Sequence, residues 1–439
     1  MKTQLSNILK TTAFALILGS PVLVNAQTEV ANLRPYDQSG INVFEAPKDT
    51  NAVFEKVKVN FGAGFTQSFQ GLKHENDANN NLYKISPGFN TANANLFMDV
   101  QLADGIRLNL TSYLSSRHHN ETWVKGGYMQ FDKLPFKGQI WEDIMKVTTI
   151  KIGHTEINYG DQHFRRSDGG QTLYNPFVEN YIMDAFATEI GGEVYVRKNG
   201  VFGMLGASNG LIKGNIDSVT ATAQDDNIHK SPSIYGKVGY DKQINEAVRV
   251  RVAGSFYHNN SAGKNGNTLY GGDRTGSNYF MVLEPATTGT PPVATTYATN
   301  AFSGRFNPGF TKKIDAFQFN GFVKTYGLEL FGTYEVAKGR TNAETDSRDA
   351  SQFAIEGVYR FGVEENVFIG ARYNTVKSEL TGVANDVTID RTSFAAGWFL
   401  TKNILLKAEY TNQKYKDFTD AIRKGGKFDG YVIQAVVGF

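Results

Sequence analysis

The chain has 439 residues, with 45 Gly, 11 Pro, no Cys, 13% aromatics and a formal net charge of +2. Without Cys there can be no thiolate zinc site, iron–sulfur cluster, disulfide scaffold or Cys nucleophile. Near-balanced charge and abundant Phe and Tyr exclude a collagen-like or acidic disordered chain, leaving an ordered, packed or barrel-like protein.

The first 26 residues set the expected compartment. Lys2 and Lys10 form a basic start, residues 11–24 are mostly apolar but too short to span a bilayer as a helix, and Val24-Asn25-Ala26 offers a small-residue cleavage site before Gln27. A cleaved signal peptide over 1–26 and export follow as expectations. Gln27 is not Cys, so no lipid anchor through a first-residue thiol is expected. Cleavage would leave 43 Lys plus Arg against 43 Asp plus Glu, hence no global field steering ions of one sign.

After Ala26 no stretch reaches the roughly 18 to 20 apolar residues of a membrane helix. Alternation with a period of two recurs instead, in segments of about ten residues separated by turns rich in Gly, Asn, Asp and Lys. In chain order the strands are expected at 57–66, 92–102, 106–111, 123–131, 147–154, 189–196, 201–208, 233–241, 247–258, 313–325, 327–336, 351–361, 367–376, 387–400, 405–413 and 431–439. This predicts an all-β, transmembrane antiparallel β-barrel of about 16 strands, within a range of 14 to 18, over 53–439. Residues 27–52 form a leader, expected in the periplasm or as a plug. The short links 103–105, 199–200, 242–246 and 362–366 suit periplasmic turns, and the Gly-, Asn-, Thr- and Pro-rich run 259–312 suits a long outer loop capping the mouth.

Which face meets lipid follows from charge. Val248, Val250, Val252 and Phe256 alternate with Arg249, Arg251, Ser255 and Tyr257, and Ile404, Leu406, Ala408 and Tyr410 with Lys407 and Glu409. A lipid-facing Arg or Lys costs about 2–4 kcal/mol at midplane, so the charged face is expected to look into a lumen. A soluble sandwich gives the same alternation with its apolar side inward. Long strands, and aromatics expected at a membrane interface (Tyr240, Tyr257, Phe322, Tyr334, Phe361, Tyr373, Phe399 and Tyr410), favour the barrel. The register makes Arg107, Arg249, Arg251, Arg360, Arg372 and Lys407 lumen-facing, against Asp99, Glu193, Glu329, Glu356 and Glu409.

One long polar stretch, 155–188, does not alternate. Its Glu156, Asp161, His163, Arg165, Arg166, Asp168, Glu179 and Asp184 are the candidate pore constriction, in a loop folded inward whose charges set size and ion selectivity. The competing reading is a solvated loop whose charges pair with one another. Gly206-Ala207-Ser208-Asn209-Gly210 matches a nucleophile-elbow pattern but is not followed by a helix opening. His118 and His119 are adjacent, so on a strand they point to opposite faces and cannot share a metal. No catalytic residue, metal site or cofactor is expected.

The segments 32–45 and 158–168 and the last strand, which alternates Tyr431, Ile433, Ala435, Val437 and Phe439, resemble the outer-membrane porin-type proteins of the Bacteroidetes, loosely grouped with the phosphate-selective porins O and P. For the phosphate-selective members that resemblance implies a homotrimer of 16-stranded barrels with an Arg/Lys-lined path. The neutral mature charge and the lack of a dense Lys cluster depart from that pattern. The expected function is a Gram-negative outer-membrane porin, not an enzyme, passing small hydrophilic solutes or ions, including anions such as phosphate, by passive diffusion. Expected partners are outer-membrane lipid and lipopolysaccharide and the barrel-insertion machinery, through the strand ending at Phe439, with no nucleic acid. An outer-membrane enzyme built on Asp161, His163 and Ser208, or a plugged barrel serving as an envelope assembly partner, are the alternatives.

Overall fold

The computed structural model describes residues 30–46, 48–49, 54–77, 82–115, 121–210, 218–286 and 303–439. The expected signal segment 1–26 and the pair His118 and His119 lie outside the described residues. Sixteen long strands alternate in direction: β1 (Lys58–Glu75), β2 (Asn93–Ala103), β3 (Ile106–Leu114), β4 (Trp123–Phe131), β5 (Thr148–Glu156), β6 (Thr188–Lys198), β7 (Val201–Ser208), β8 (Ser233–Gln243), β9 (Val248–Asn259), β10 (Lys313–Thr325), β11 (Leu328–Arg340), β12 (Arg348–Phe361), β13 (Val367–Ser378), β14 (Val387–Thr401), β15 (Ile404–Lys416) and β16 (Lys427–Gly438). Each pairs antiparallel with its sequence neighbours, and β1 pairs with β16 in the register Phe65↔Val437, which closes the sheet into a barrel. A two-residue segment, Gly88–Phe89, adds a bridge to β1. Closure leaves no unpaired strand edge, the condition for a sheet to cross lipid.

Side-chain parity divides the wall into two surfaces. Outward stand Phe61, Leu96, Val252, Phe319, Ile355, Leu406 and Ile433, all large, apolar and exposed. Inward stand the buried polar residues Asn95, Asp99, Arg107, Arg251, Glu329, Glu356, Arg372, Lys407 and Glu409. An apolar surface wrapped round the whole barrel far exceeds what a water-facing protein shows and marks contact with an apolar phase. No helix among the described residues is long and apolar enough to cross a membrane; the strands supply the crossing.

The structure departs from the sequence reading at several points. Tyr257, Phe322 and Phe399 are buried inward instead of lying in an outer aromatic belt, because Tyr257 shares its parity with Arg251 and Phe322 pairs across the ladder with Arg251. Tyr334, Phe361, Tyr373 and Tyr410 do face outward and are exposed. The link between β4 and β5 carries a helix, α1 (Gln139–Val147), so the following strand starts at Thr148 and not at residue 147. Lys242 and Gln243 belong to β8, which moves the turn after it to 244–247. The described parts of 259–312 do more than cap a mouth: Leu269, Tyr270, Tyr279, Phe280 and Phe306 are buried.

Candidate functional site

The β5–β6 connection, read from sequence as one polar stretch, carries enough apolar residues to dock. Ile157, Val178, Ile182 and Met183 are buried against Ile314, Val376, Ile389 and Val432 of the wall. Leu173 and Phe177 pack with Val358, Phe368, Phe399 and Leu405. Two glycines allow the backbones to approach: a Cβ on Gly64 of β1 would lie 2.9 Å from Gln171, and one on Gly170 would lie 2.4 Å from the Gly64 carbonyl. The loop therefore fills the lumen against β10–β16 and leaves the space beside β2–β6.

Charge fastens what apolar packing positions. Arg165 donates from Nε to Glu356 at 2.9 Å and lies 3.4 Å from Glu329, while Arg360 holds Glu329 at 2.8 Å and Arg372 holds Glu356 at 2.7 Å. Asp161 takes two bonds from Arg251, both 2.8 Å, and one from Lys237 at 2.9 Å. Arg166 pairs with Asp184 at 2.5 Å and Asp168 at 3.3 Å. Arg305 joins Glu179 at 3.1 Å to Asp184 at 3.3 Å. Lys407 donates to the carbonyls of Thr172, Asn175 and Phe177 at 2.8–2.9 Å. Arg107 pairs with Asp132 at 2.6 Å and Arg249 with Asp241 at 2.8 Å. Buried charges require such partners, so these arginines are spent on loops and on neighbouring strands instead of forming an unpaired basic ladder.

The leader joins the same assembly. Tyr36 stacks on Phe97 with ring centroids 3.9 Å apart, Glu45 pairs with Arg251 at 2.7 Å, and Lys48 with Asp132 at 3.2 Å. Arg34 donates to the carbonyls of Gly40 and Phe164 at 2.9 and 2.8 Å, its guanidinium 3.6 Å from the Tyr174 ring.

Two cavities remain along β2–β6. One, of about 210 Å³, lies toward the long-loop end between Tyr36, Phe97, Lys125, Asp168 and Gln171. The other, of about 190 Å³, lies toward the short-turn end between Glu45, Gln130, Lys151, Tyr195 and Arg197. Both are lined by Arg34, Tyr128, Thr155, Glu156 and His163, which form the waist between them. His163 is bonded to Glu156 at 2.7 Å and Asn158 at 2.9 Å. Burial outweighs the attraction of Glu156 and holds the His163 imidazole below its ordinary pKa.

No family model matches the sequence, and no curated protein matches it. Solved structures share the architecture. An anion-selective porin from Comamonas acidovorans aligns with a TM-score of 0.51 at 10% identity, over 88% of this chain and 100% of that one. OmpT, an outer-membrane-expressed protein of Vibrio cholerae, aligns with a TM-score of 0.50 at 11% identity, over 88% and 99%. The fold is porin-like.

In this porin-like barrel the candidate residues separate by position. Glu156, His163, Arg166 and Asp168 line the cavities, whereas Asp161, Arg165, Glu179 and Asp184 lie among the ion pairs that hold the loops. The adjacent Arg165 and Arg166 go to different partners. Ser208 donates to Glu189, and no hydrogen bond links it with Asp161 or His163, all three being among the described residues. No cluster of three metal-ligating side chains occurs among the described residues.

Residues missed from sequence are Arg34, Lys125, Tyr128, Lys151 and Arg197. Parity alone would have turned Tyr128 and Lys151 inward. Lys125 gave no such signal, because a bulge in β4 opposes Ser112 to Val124 and Thr111 to Gly126, leaving Lys125 between them. The extra residue swings Lys125 off the lipid side onto Asp168 and, at 3.0 Å, Asp273.

Proposed function

We propose that the chain is a passive diffusion pore of a Gram-negative outer membrane, passing small hydrophilic solutes and favouring anions. The observation that carries this reading is the waist: two cavities on one wall whose linings share Arg34, Tyr128, Thr155, Glu156 and His163, inside a barrel whose outer surface is apolar. Charged side chains round such a waist discriminate by size and sign. At neutral pH Arg34 offsets Glu156, and Lys151 and Arg197 below them supply the surplus cation. The fold shared with an anion-selective porin agrees with that direction. In this orientation the short turns and the leader face the periplasm, after export and cleavage behind Ala26. The strand ending at Phe439 serves insertion, and three copies assemble. The Bacteroidetes and porin O/P kinship stays part of this proposal.

The burial of the leader and loops favours a second reading, a plugged barrel serving as a platform. Planar-bilayer recording separates the two. Discrete ohmic steps in KCl are the expected result, and silence from correctly folded protein would overturn the pore in favour of the plug.

A further inference from the structure

The cavity on the short-turn side of the waist holds cations with no carboxylate within ion-pair distance among the described residues; Glu193, opposite Lys151 across the β5–β6 ladder, accepts instead from the Asn158 N–H at 2.9 Å and from the Tyr195 hydroxyl. Lys151 stands 4.9 Å from the Tyr128 ring centroid and 5.3 Å from that of Tyr195, and has no ion pair or hydrogen bond among the described residues. Arg197 donates through Nη1 to the Ala46 carbonyl, while its Nε is buried with no partner. Arg34 spends its bonds on two neutral carbonyls. The acids at this cavity are engaged elsewhere: Glu45 with Arg251 at 2.7 Å, Glu156 with His163 at 2.7 Å.

Every other inward arginine described above meets a carboxylate, and Arg391 of β14 donates to the Gln413 side chain and to the carbonyls of Asn180 and Gly304 at 2.6–2.7 Å. Here Lys151 and the Arg197 Nε lack an acceptor among the described residues, and a buried donor without one is costly. A guanidinium and an ammonium facing one space match the oxygens of an anion, and charge-assisted bonds from such groups are the strong ones. Flat apolar surface comes from Tyr128, Tyr195, Phe164 and Phe44, set among the polar Gln130, Thr149 and Asn158, in a space of about 190 Å³. Pockets that pair an apolar lining with a few convergent polar groups bind molecules having both parts.

We propose that this chamber binds small organic carboxylates with a flat apolar body, the carboxylate on Lys151 and the Arg197 Nε, the body against Tyr128 and Tyr195. The inference rests on the pore reading, since it names the solute class for which the passage has an intermediate site. Bare phosphate would satisfy the cations but leave the rings unused.

Calorimetric titration of detergent-solubilised full-length barrel tests it with benzoate, acetate and inorganic phosphate. Benzoate is expected to bind, with acetate and phosphate weaker by about tenfold or more. Lys151→Gln should weaken benzoate by about tenfold or more. Tyr195→Leu should erase the preference for benzoate over acetate. Heat-modifiable gel migration shows that each variant is folded. Equal binding of phosphate and benzoate, or benzoate binding indifferent to Lys151→Gln, overturns the proposal. Absence of KCl current would sink the pore reading alone, because the titration reads the chamber without transport.

Discussion

Arg165 Nε donates to Glu356 Oε1 at 2.9 Å, joining the β5–β6 loop to β12 on the far wall. Arg372 holds the other oxygen of Glu356 at 2.7 Å, and Glu329 is shared between Arg165 and Arg360. Three guanidinium groups and two carboxylates form one buried row. The loop is thus drawn away from β2–β6, where the cavities lie. Arg165→Ala takes one partner from each carboxylate and should cost about 3 kcal/mol in unfolding free energy. Because Arg165 lines neither cavity, its reversal potential in a KCl gradient should match the parent protein. A large shift with unchanged stability would place Arg165 in the ion path.

Arg34 and Glu156 oppose each other in sign at the waist. Interaction of a unit charge with a passing ion at about 4 Å is worth about 1 kcal/mol in water and more in a lower dielectric, so removing either charge should change the permeability ratio by about fivefold. Arg34→Gln should move the reversal potential toward cations, and Glu156→Gln toward anions. Shifts of the same sign in both variants would refute the waist as the selectivity element.

The barrel was legible because lipid on one side and water on the other impose one rule on every strand. All sixteen expected segments coincide with strands, from Lys58–Glu75 to Lys427–Gly438. What could not be read were departures from strict alternation and contacts made at long range. Lys125 turns inward only through a bulge defined by its partner strand β3. Arg34 sits in a segment with no periodicity, and its place depends on carbonyls as distant in sequence as Phe164. Helix α1 carried a usable signal, with Ile140, Ile144 and Trp141, Met145 four apart, but it was hidden within a link between strands.

His163 makes the waist sensitive to pH. Its pKa is held below the ordinary value near 6.5 by burial, against the pull of Glu156 and Asp161 and with the repulsion of Lys237. The ring is therefore neutral at pH 7 and becomes cationic as pH falls through the depressed value. Acidification from pH 7.5 to 5 should move the reversal potential toward anions, and His163→Gln should remove part of that movement, the rest belonging to Asp168 in the adjoining cavity, whose carboxyl pKa is pushed up by burial. Because the folded-state value is the lower one, protonation also removes stability over the same acid window. The parent should lose more thermal stability on acidification than His163→Gln.

Phe319 lies at the centre of β10 (Lys313–Thr325), on the outward face, and is 59% exposed. On a water-facing sheet, exchange of such a side chain for a charged one would change stability by only about 0.5 kcal/mol. Against acyl chains the same exchange carries the cost of placing a guanidinium near the bilayer midplane, about 2–4 kcal/mol. Phe319→Arg, refolded into phospholipid vesicles and unfolded in urea beside the parent, should show the larger loss. The reason lies in parity: Gln318 and Asn320 on either side face the lumen and are buried, so β10 cannot rotate its new charge inward without turning both amides to lipid. A loss near 0.5 kcal/mol would mean that the apolar face does not touch acyl chains.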